Sequence, residues 1–72
     1  MLREEFADPQ GMALALAAQG KAALLEGKAS EASQLYQRSL EIYRYLGDQG
    51  GLAAALDGLG RTALALGAFA RA

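Results

Sequence analysis

The chain has 72 residues and a formal net charge of -1, with seven basic and eight acidic side chains interspersed, and it contains neither cysteine nor histidine. This composition excludes a disulfide framework and a Cys/His zinc site, and it offers no basic surface for nucleic acid or for an anionic membrane. The length allows one small domain, whose core is expected to supply only about 3 to 5 kcal/mol, so oligomerisation is the stabilising device that remains.

The apolar segments and the N-terminus indicate where the protein resides. The longest apolar run, residues 12–18, is far shorter than the roughly 20 residues that cross a bilayer. The first six residues, MLREEF, lack the basic and apolar regions of a secretory signal. We therefore expect a soluble, cytoplasmic protein.

An internal repeat organises the whole chain. A shift of forty residues superimposes ten identical pairs. They are Asp8/Asp48, Gly11/Gly51, Ala13/Ala53, Ala15/Ala55, Leu16/Leu56, Gly20/Gly60, Ala23/Ala63, Leu24/Leu64, Gly27/Gly67 and Ala32/Ala72. The same shift places Leu2 and Phe6 on Ile42 and Leu46, so residues 1–7 are predicted to be the tail of a preceding helix.

The first helix is predicted to begin at Asp8 and Pro9, because an aspartate can accept hydrogen bonds from the free amides of the first turn and proline at the first position loses none. Small and apolar residues then recur at helical spacing, and Gly27 is placed to end the helix in the left-handed conformation. These recurring residues are Leu16, Gly20, Ala23 and Leu24.

The second helix is predicted from about Ala29 to Leu46, with Gly47 ending it. Its apolar stripe consists of Ala32, Leu35, Tyr36, Ser39, Leu40, Tyr43 and Leu46. Tyr45 lies off this stripe and is expected to reach the surface.

The third helix is predicted from about Gln49 to Leu66, with Asp48 capping its start and Gly67 ending it before a short stub. The fold class is therefore all-α, built from antiparallel helical hairpins. Residues 8–47 form the first repeat and residues 48–72 a truncated second one, about one and a half to two repeats in a single domain.

The residue pattern resembles the tetratricopeptide repeat family. The family's spacing of small, aromatic and turn-glycine positions is kept by Gly20, Ala23, Gly27, Ala32, Tyr36, Ser39 and Leu40, and in the second copy by Leu56, Leu59, Gly60, Ala63, Gly67, Phe69 and Ala72. Three departures are leucines at 16 and 56 in place of tryptophan, alanines at 23 and 63 in place of an aromatic, and a forty-residue instead of a roughly thirty-four-residue period. The long period is similar to the helical repeats of MalT-type bacterial regulators.

The glycines in this frame are interpreted as packing devices. Gly20 and Gly60 are predicted to let two helix backbones approach closely, with Ala32 and Ala72 opposite them and the rings of Tyr36 and Phe69 filling the adjoining space. The alternative, that Gly58–Thr62 (GLGRT) is a phosphate loop, lacks the Gly-Lys-Ser/Thr sequence and a preceding strand.

No residue pattern indicates catalysis. Without histidine or cysteine, the candidate nucleophiles Ser30, Ser33, Ser39 and Thr62 have only lysines or carboxylates as activating bases. Tyr36 and Tyr43 could stack on nucleic-acid bases, but their seven-residue spacing is typical of a helical core. We expect a protein that is not an enzyme, and we assign no catalytic, cofactor-binding or metal-binding residue.

The resemblance implies that the first helix of each repeat lines a concave face that binds a peptide. The positions that would touch the peptide are Leu14, Ala17, Lys21 and Leu25 in the first copy and Ala54, Asp57, Arg61 and Ala65 in the second. Lys21 and Arg61 are equivalent, so they would present two cations to a carboxylate. The alternative is a solvated helix face with basic side chains extending into water.

The sequence thus predicts a non-enzymatic protein or peptide interaction module, a piece of a longer array. The alternative function is structural self-association. A tetratricopeptide unit buries its faces only against neighbouring units, so the third helix is expected to leave an apolar face open. We expect a homo-oligomer that covers this face, either through paired third helices or through exchanged helices.

Overall fold

The computed structural model describes the backbone of residues 8–71 and the side chains of residues 8–67. It contains α1 (Pro9–Leu25), α2 (Ala29–Leu46) and α3 (Gln49–Arg71), with no strand among the described residues. The all-α prediction is confirmed. The predictions for residues 1–7, for the Phe69 ring and for Ala72 lie outside the described residues.

Two aspartates start their helices as predicted. Asp8 Oδ1 accepts a hydrogen bond from the Gly11 amide at 3.0 Å, and Pro9 occupies the first turn. Asp48 Oδ1 accepts from the Gly51 amide at the same distance of 3.0 Å. Equivalent residues of the two copies therefore make the same cap.

Two of the three predicted helix ends are confirmed. Gly27 and Gly47 have positive φ values of 83° and 72°, a conformation in which glycine is favoured. Gly67 does not end α3, which continues to Arg71, so that prediction is wrong. Glycine permits a left-handed turn but does not impose one, and the residues after Gly67 are compatible with a helix.

The three helices form a layer with α2 in the middle. Gly20 of α1 faces Tyr36 of α2, and Ala13 faces Ser39, so the two helices run antiparallel. Tyr36 and Tyr43 contact α3 in the same reversed order, while α1 and α3 touch each other only slightly. The described part of the chain is only 12 Å in its thinnest dimension.

The core lies along the α2 stripe that the sequence predicts. The buried members of the stripe are Ala32, Tyr36, Ser39 and Tyr43, whereas Leu35 and Leu40 are half-buried and Leu46 lies exposed at the edge. Ser39 fits its predicted role as a small packing residue, and its Oγ also donates a buried hydrogen bond of 2.8 Å to the Ala13 carbonyl. Tyr45 is 85% exposed, as expected.

Tyr36 is a wedge between the outer helices. One edge of its ring lies against Gly20 of α1, where an added Cβ would be 3.1 Å from Cδ2 and Cε2. The opposite edge, Cδ1 and Cε1, lies so close to Gly58 of α3 that a Cβ there could not fit. Tyr43 leaves equally little room at Gly51. The predicted packing role of Gly20 is confirmed, and Gly58 and Gly51 share it.

The prediction that Gly60 lies at a close crossing with a following helix is wrong for the described residues, because the chain after Gly67 continues α3 as far as Arg71. A Cβ at Gly60 would meet no atom of the described residues within 4 Å. Gly58 and Gly60 are separated by about 200° around the helix axis, so Gly60 turns away from α2 when Gly58 faces it. Gly60 lies on a surface that we call the outer face of α3, which consists of Ala53, Leu56, Gly60, Ala63 and Leu64.

Candidate functional site

A groove runs between α1 and α3 above the Tyr36 ring. Its volume is about 450 Å³. It is lined by Leu14, Ala17, Ala18, Lys21, Leu24 and Leu25 of α1, by Tyr36 of α2, and by Ala54, Asp57, Gly58 and Arg61 of α3. The groove forms because α1 and α3 lie on opposite sides of α2 and scarcely touch each other.

The structure brings together most residues of the predicted peptide site. Leu14, Ala17, Lys21, Leu25, Ala54, Asp57 and Arg61 all line the groove. Ala65 does not line it, although its equivalent Leu25 does. The two helices contribute matching positions because both run antiparallel to α2 on opposite sides of it and meet it through different faces, which leaves equivalent residues facing the same groove.

Four lining residues are missing from the sequence prediction: Ala18, Leu24, Tyr36 and Gly58. Ala18 and Gly58 are equivalent positions of the forty-residue repeat, so assigning either of them to the groove would have predicted the other as well. Tyr36 was expected to be a core residue, and it is only 6% exposed, yet its ring also forms the floor of the groove. Helical periodicity identifies Tyr36 as a core residue, but it does not reveal that a core residue also lines a site.

The charges in the groove differ from the predicted pair of cations. Arg61 Nε lies 3.0 Å from Asp57 Oδ2, one helical turn away, so the Arg61 charge is engaged within its own helix. Both side chains are largely exposed, and such pairs contribute little to stability. Lys21 is exposed and forms no ion pair with any described residue. It is therefore the cation that a ligand would meet first.

Burial raises the pKa of the Tyr36 phenol above its ordinary value of 10.0. Asp57 raises the pKa further and Arg61 opposes it, because a phenolate is repelled by a carboxylate and attracted by a guanidinium. The hydroxyl is consequently a neutral hydrogen-bond donor at physiological pH. It can donate to a carbonyl or carboxylate that enters the groove.

The raised pKa predicts how stability changes in alkali. Below pH 10 the phenol is protonated in both the folded and the unfolded chain. As the pH rises past 10, the unfolded chain loses its proton first, because the pKa of the phenol is higher in the folded chain. The free energy of unfolding therefore falls between pH 10 and the pKa of the folded chain. We expect the free energy of unfolding to fall less between pH 9 and pH 11 in Tyr36→Phe than in the unmodified chain. Denaturant titrations at the two pH values measure this, and equal losses would contradict the burial of the phenol.

Two of the four hydroxyl groups considered as nucleophiles, those of Ser39 and Thr62, are buried and donate to backbone carbonyls. Thr62 is 1% exposed and its Oγ1 donates at 2.8 Å to the Gly58 carbonyl within α3. The residues from Gly58 to Thr62 are all helical. Within the part that the structure describes, no three Asp, Glu, His or Cys side chains lie close enough to hold a metal ion.

None of the three helices, as far as they are described, combines the length and apolarity needed to cross a bilayer. Comparisons of this chain with protein-family models, curated proteins and solved structures gave no match. The resemblance to tetratricopeptide repeats therefore stays a prediction.

Proposed function

We propose that the chain is a non-enzymatic, tetratricopeptide-like module that binds a peptide in the groove between α1 and α3. The observation that carries this proposal is a set of apolar side chains displayed to solvent on both sides of one concavity. Leu14 is 61% exposed and Leu25 is 80% exposed, and both face the groove that Ala54 lines from α3. Exposed leucines grouped around a concavity are typical of ligand sites.

The polar groups define the chemistry of the ligand. Lys21 supplies a cation on α1 that pairs with no described residue, and the Tyr36 hydroxyl supplies a neutral donor at the floor. Asp57 and Arg61 neutralise each other on the α3 side of the groove. These groups suit a peptide that places apolar side chains against Leu14 and Leu25 and a carboxylate near Lys21, which lies between them.

Selection from a random peptide library tests this proposal. Dodecamers displayed on phage would be selected on the immobilised chain, and enriched peptides would be titrated with the chain in solution. We expect enrichment of sequences that combine a large apolar residue with Asp or Glu. Binding that survives Leu14→Asp would place the peptides outside the groove and contradict the proposal.

Charge reversal at Lys21 should weaken these peptides selectively. Lys21→Glu is expected to reduce affinity about five- to tenfold, because an exposed attraction becomes a repulsion, and to make binding less sensitive to salt. Lys28→Glu is the matched control, since Lys28 lies in the α1–α2 connection beside Glu26, outside the groove. Fluorescence anisotropy at two salt concentrations measures both effects. If the two variants had equal effects on affinity, Lys21 would be an ordinary solvated residue that takes no part in binding.

Self-association is the second candidate function. The observation that favours it is the outer face of α3, where Leu56 is 55% and Leu64 76% exposed. Sedimentation of the chain over a range of concentrations tests it. A monomer at high micromolar concentration whose melting does not depend on concentration would exclude this function.

A further inference from the structure

Five residues of α1 recur unchanged on α3, but only one of the two sets is covered. On α1 they are Ala13, Leu16, Gly20, Ala23 and Leu24, and forty residues later they form the outer face of α3. Ala13, Gly20 and Ala23 are buried beneath α2, whereas Ala53, Gly60 and Ala63 are exposed. The same set of residues is thus covered by a helix on α1 and uncovered on α3, and we call the set on α1 the occupied copy.

The occupied copy shows how this surface is recognised. The Tyr36 ring lies over Gly20, and Ser39 Oγ donates to the Ala13 carbonyl at 2.8 Å. Ala32 packs in one cluster with Ala23 and Tyr36. The recognising helix thus carries a small residue, an aromatic four positions later and a hydroxyl three positions after that.

We propose that the outer face of α3 binds a helix of a partner protein with this small, aromatic and hydroxyl pattern. The bound helix runs antiparallel to α3, as α2 runs to α1. Its small residue packs on Ala63, its aromatic ring covers Gly60 and its hydroxyl donates to the Ala53 carbonyl. This surface lies on a different side of α3 from the groove residues Ala54, Asp57 and Arg61, so the proposal goes beyond peptide binding in the groove.

A second copy of the chain fits this surface less well than a separate helix. If α2 of another copy moved onto α3, it would uncover its own α1, whose five residues are the same, and no apolar area would be gained. Pairing two α3 helices would cover Leu56 and Leu64, but it would supply neither an aromatic ring above Gly60 nor a hydroxyl donor to the Ala53 carbonyl. A helix of a separate protein uncovers no α1 when it binds, and it can supply the aromatic ring that fills the space above Gly60.

The α2 segment itself is the probe that tests the proposal. A labelled peptide of residues 28–47, KASEASQLYQRSLEIYRYLG, would be titrated with the intact chain by fluorescence anisotropy. We expect saturable binding that Gly60→Leu weakens about tenfold or more, because the leucine occupies the space of the peptide's aromatic ring. Circular dichroism should show that Gly60→Leu still folds, since Gly60 is exposed and a Cβ there meets no described atom within 4 Å.

Two controls separate this surface from the groove and from unspecific binding. Lys21→Glu in the chain should leave binding of the peptide unchanged, so failure of the groove proposal and failure of this one are distinguishable. In the peptide, Tyr36→Ala should abolish binding, whereas Tyr45→Ala should not, because Tyr45 points away from the recognising side of α2.

Three outcomes would overturn the proposal. The first is absence of saturable binding, and the second is binding that Gly60→Leu does not affect. The third is an oligomer of the chain that Gly60→Leu dissociates while the peptide fails to bind, which would identify a second copy as the occupant.

Discussion

Replacing Gly58 by alanine is expected to destabilise the chain by about 1 to 3 kcal/mol, the usual cost of overpacking a filled core. A Cβ at Gly58 would collide with the Cδ1–Cε1 edge of Tyr36, whose other edge is already held against Gly20. The ring cannot retreat from α3 without pressing on α1. Chemical denaturation followed by circular dichroism measures the loss.

Gly60→Ala is the matched control for this change, since it adds the same methyl group two residues further along the same helix. In the part of the chain that the structure describes, no atom lies within 4 Å of a Cβ at Gly60, so only the helix propensity of alanine acts, and we expect a gain of roughly 0.5 to 1 kcal/mol. The two substitutions should therefore have opposite signs. A loss of stability in both would show that Gly60 packs against another part of the protein.

Tyr36→Ala is expected to have the largest effect, about 3 to 5 kcal/mol, as for other large aromatic truncations in cores. A domain of this size has a comparable total stability, so the variant should be largely unfolded at room temperature. The physical reason is that one ring packs against both outer helices, and its removal leaves a cavity at both α1 and α3. Loss of helical circular dichroism measures the outcome.

Tyr45→Ala is the control for removal of a tyrosine from the same helix. Tyr45 is 85% exposed, and such substitutions usually change stability by about 0.5 kcal/mol or less. Tyr36→Phe retains the ring and should fold. If Tyr36→Ala remained as stable as Tyr45→Ala, Tyr36 could not be the wedge between the helices.

Local chemistry made most helix limits predictable. Asp8 and Asp48 cap their helices by hydrogen bonds that reach only three residues along the chain, and Gly27 and Gly47 end theirs by a conformation of single residues. Gly67 shows the limit of such reasoning. A glycine offers the left-handed turn, but whether the chain takes it depends on the residues after the glycine and on their packing.

The candidate groove was predictable in its residues but not in its electrostatics. The forty-residue period places equivalent positions of α1 and α3 on one side of α2, which is why seven of the eight predicted residues line the groove. The period could not reveal that Arg61 turns toward Asp57, because the first copy has Ala17 at the position equivalent to Asp57. Tyr36 was expected in the core alone, since its ring reaches the groove only through the gap between α1 and α3.

The sequence by itself determined the three helices, the caps at Asp8, Gly27, Gly47 and Asp48, and the apolar stripe of α2, because these depend on hydrogen bonds and periodicities within a few residues. Only the tertiary structure decided which glycines are packing positions. Gly58 and Gly60 are alike in sequence and in backbone conformation, yet one lies under a tyrosine ring and the other in open space. The difference arises from which face of α3 is turned toward α2, and that orientation is set by the fit of whole helix faces rather than by any local signal.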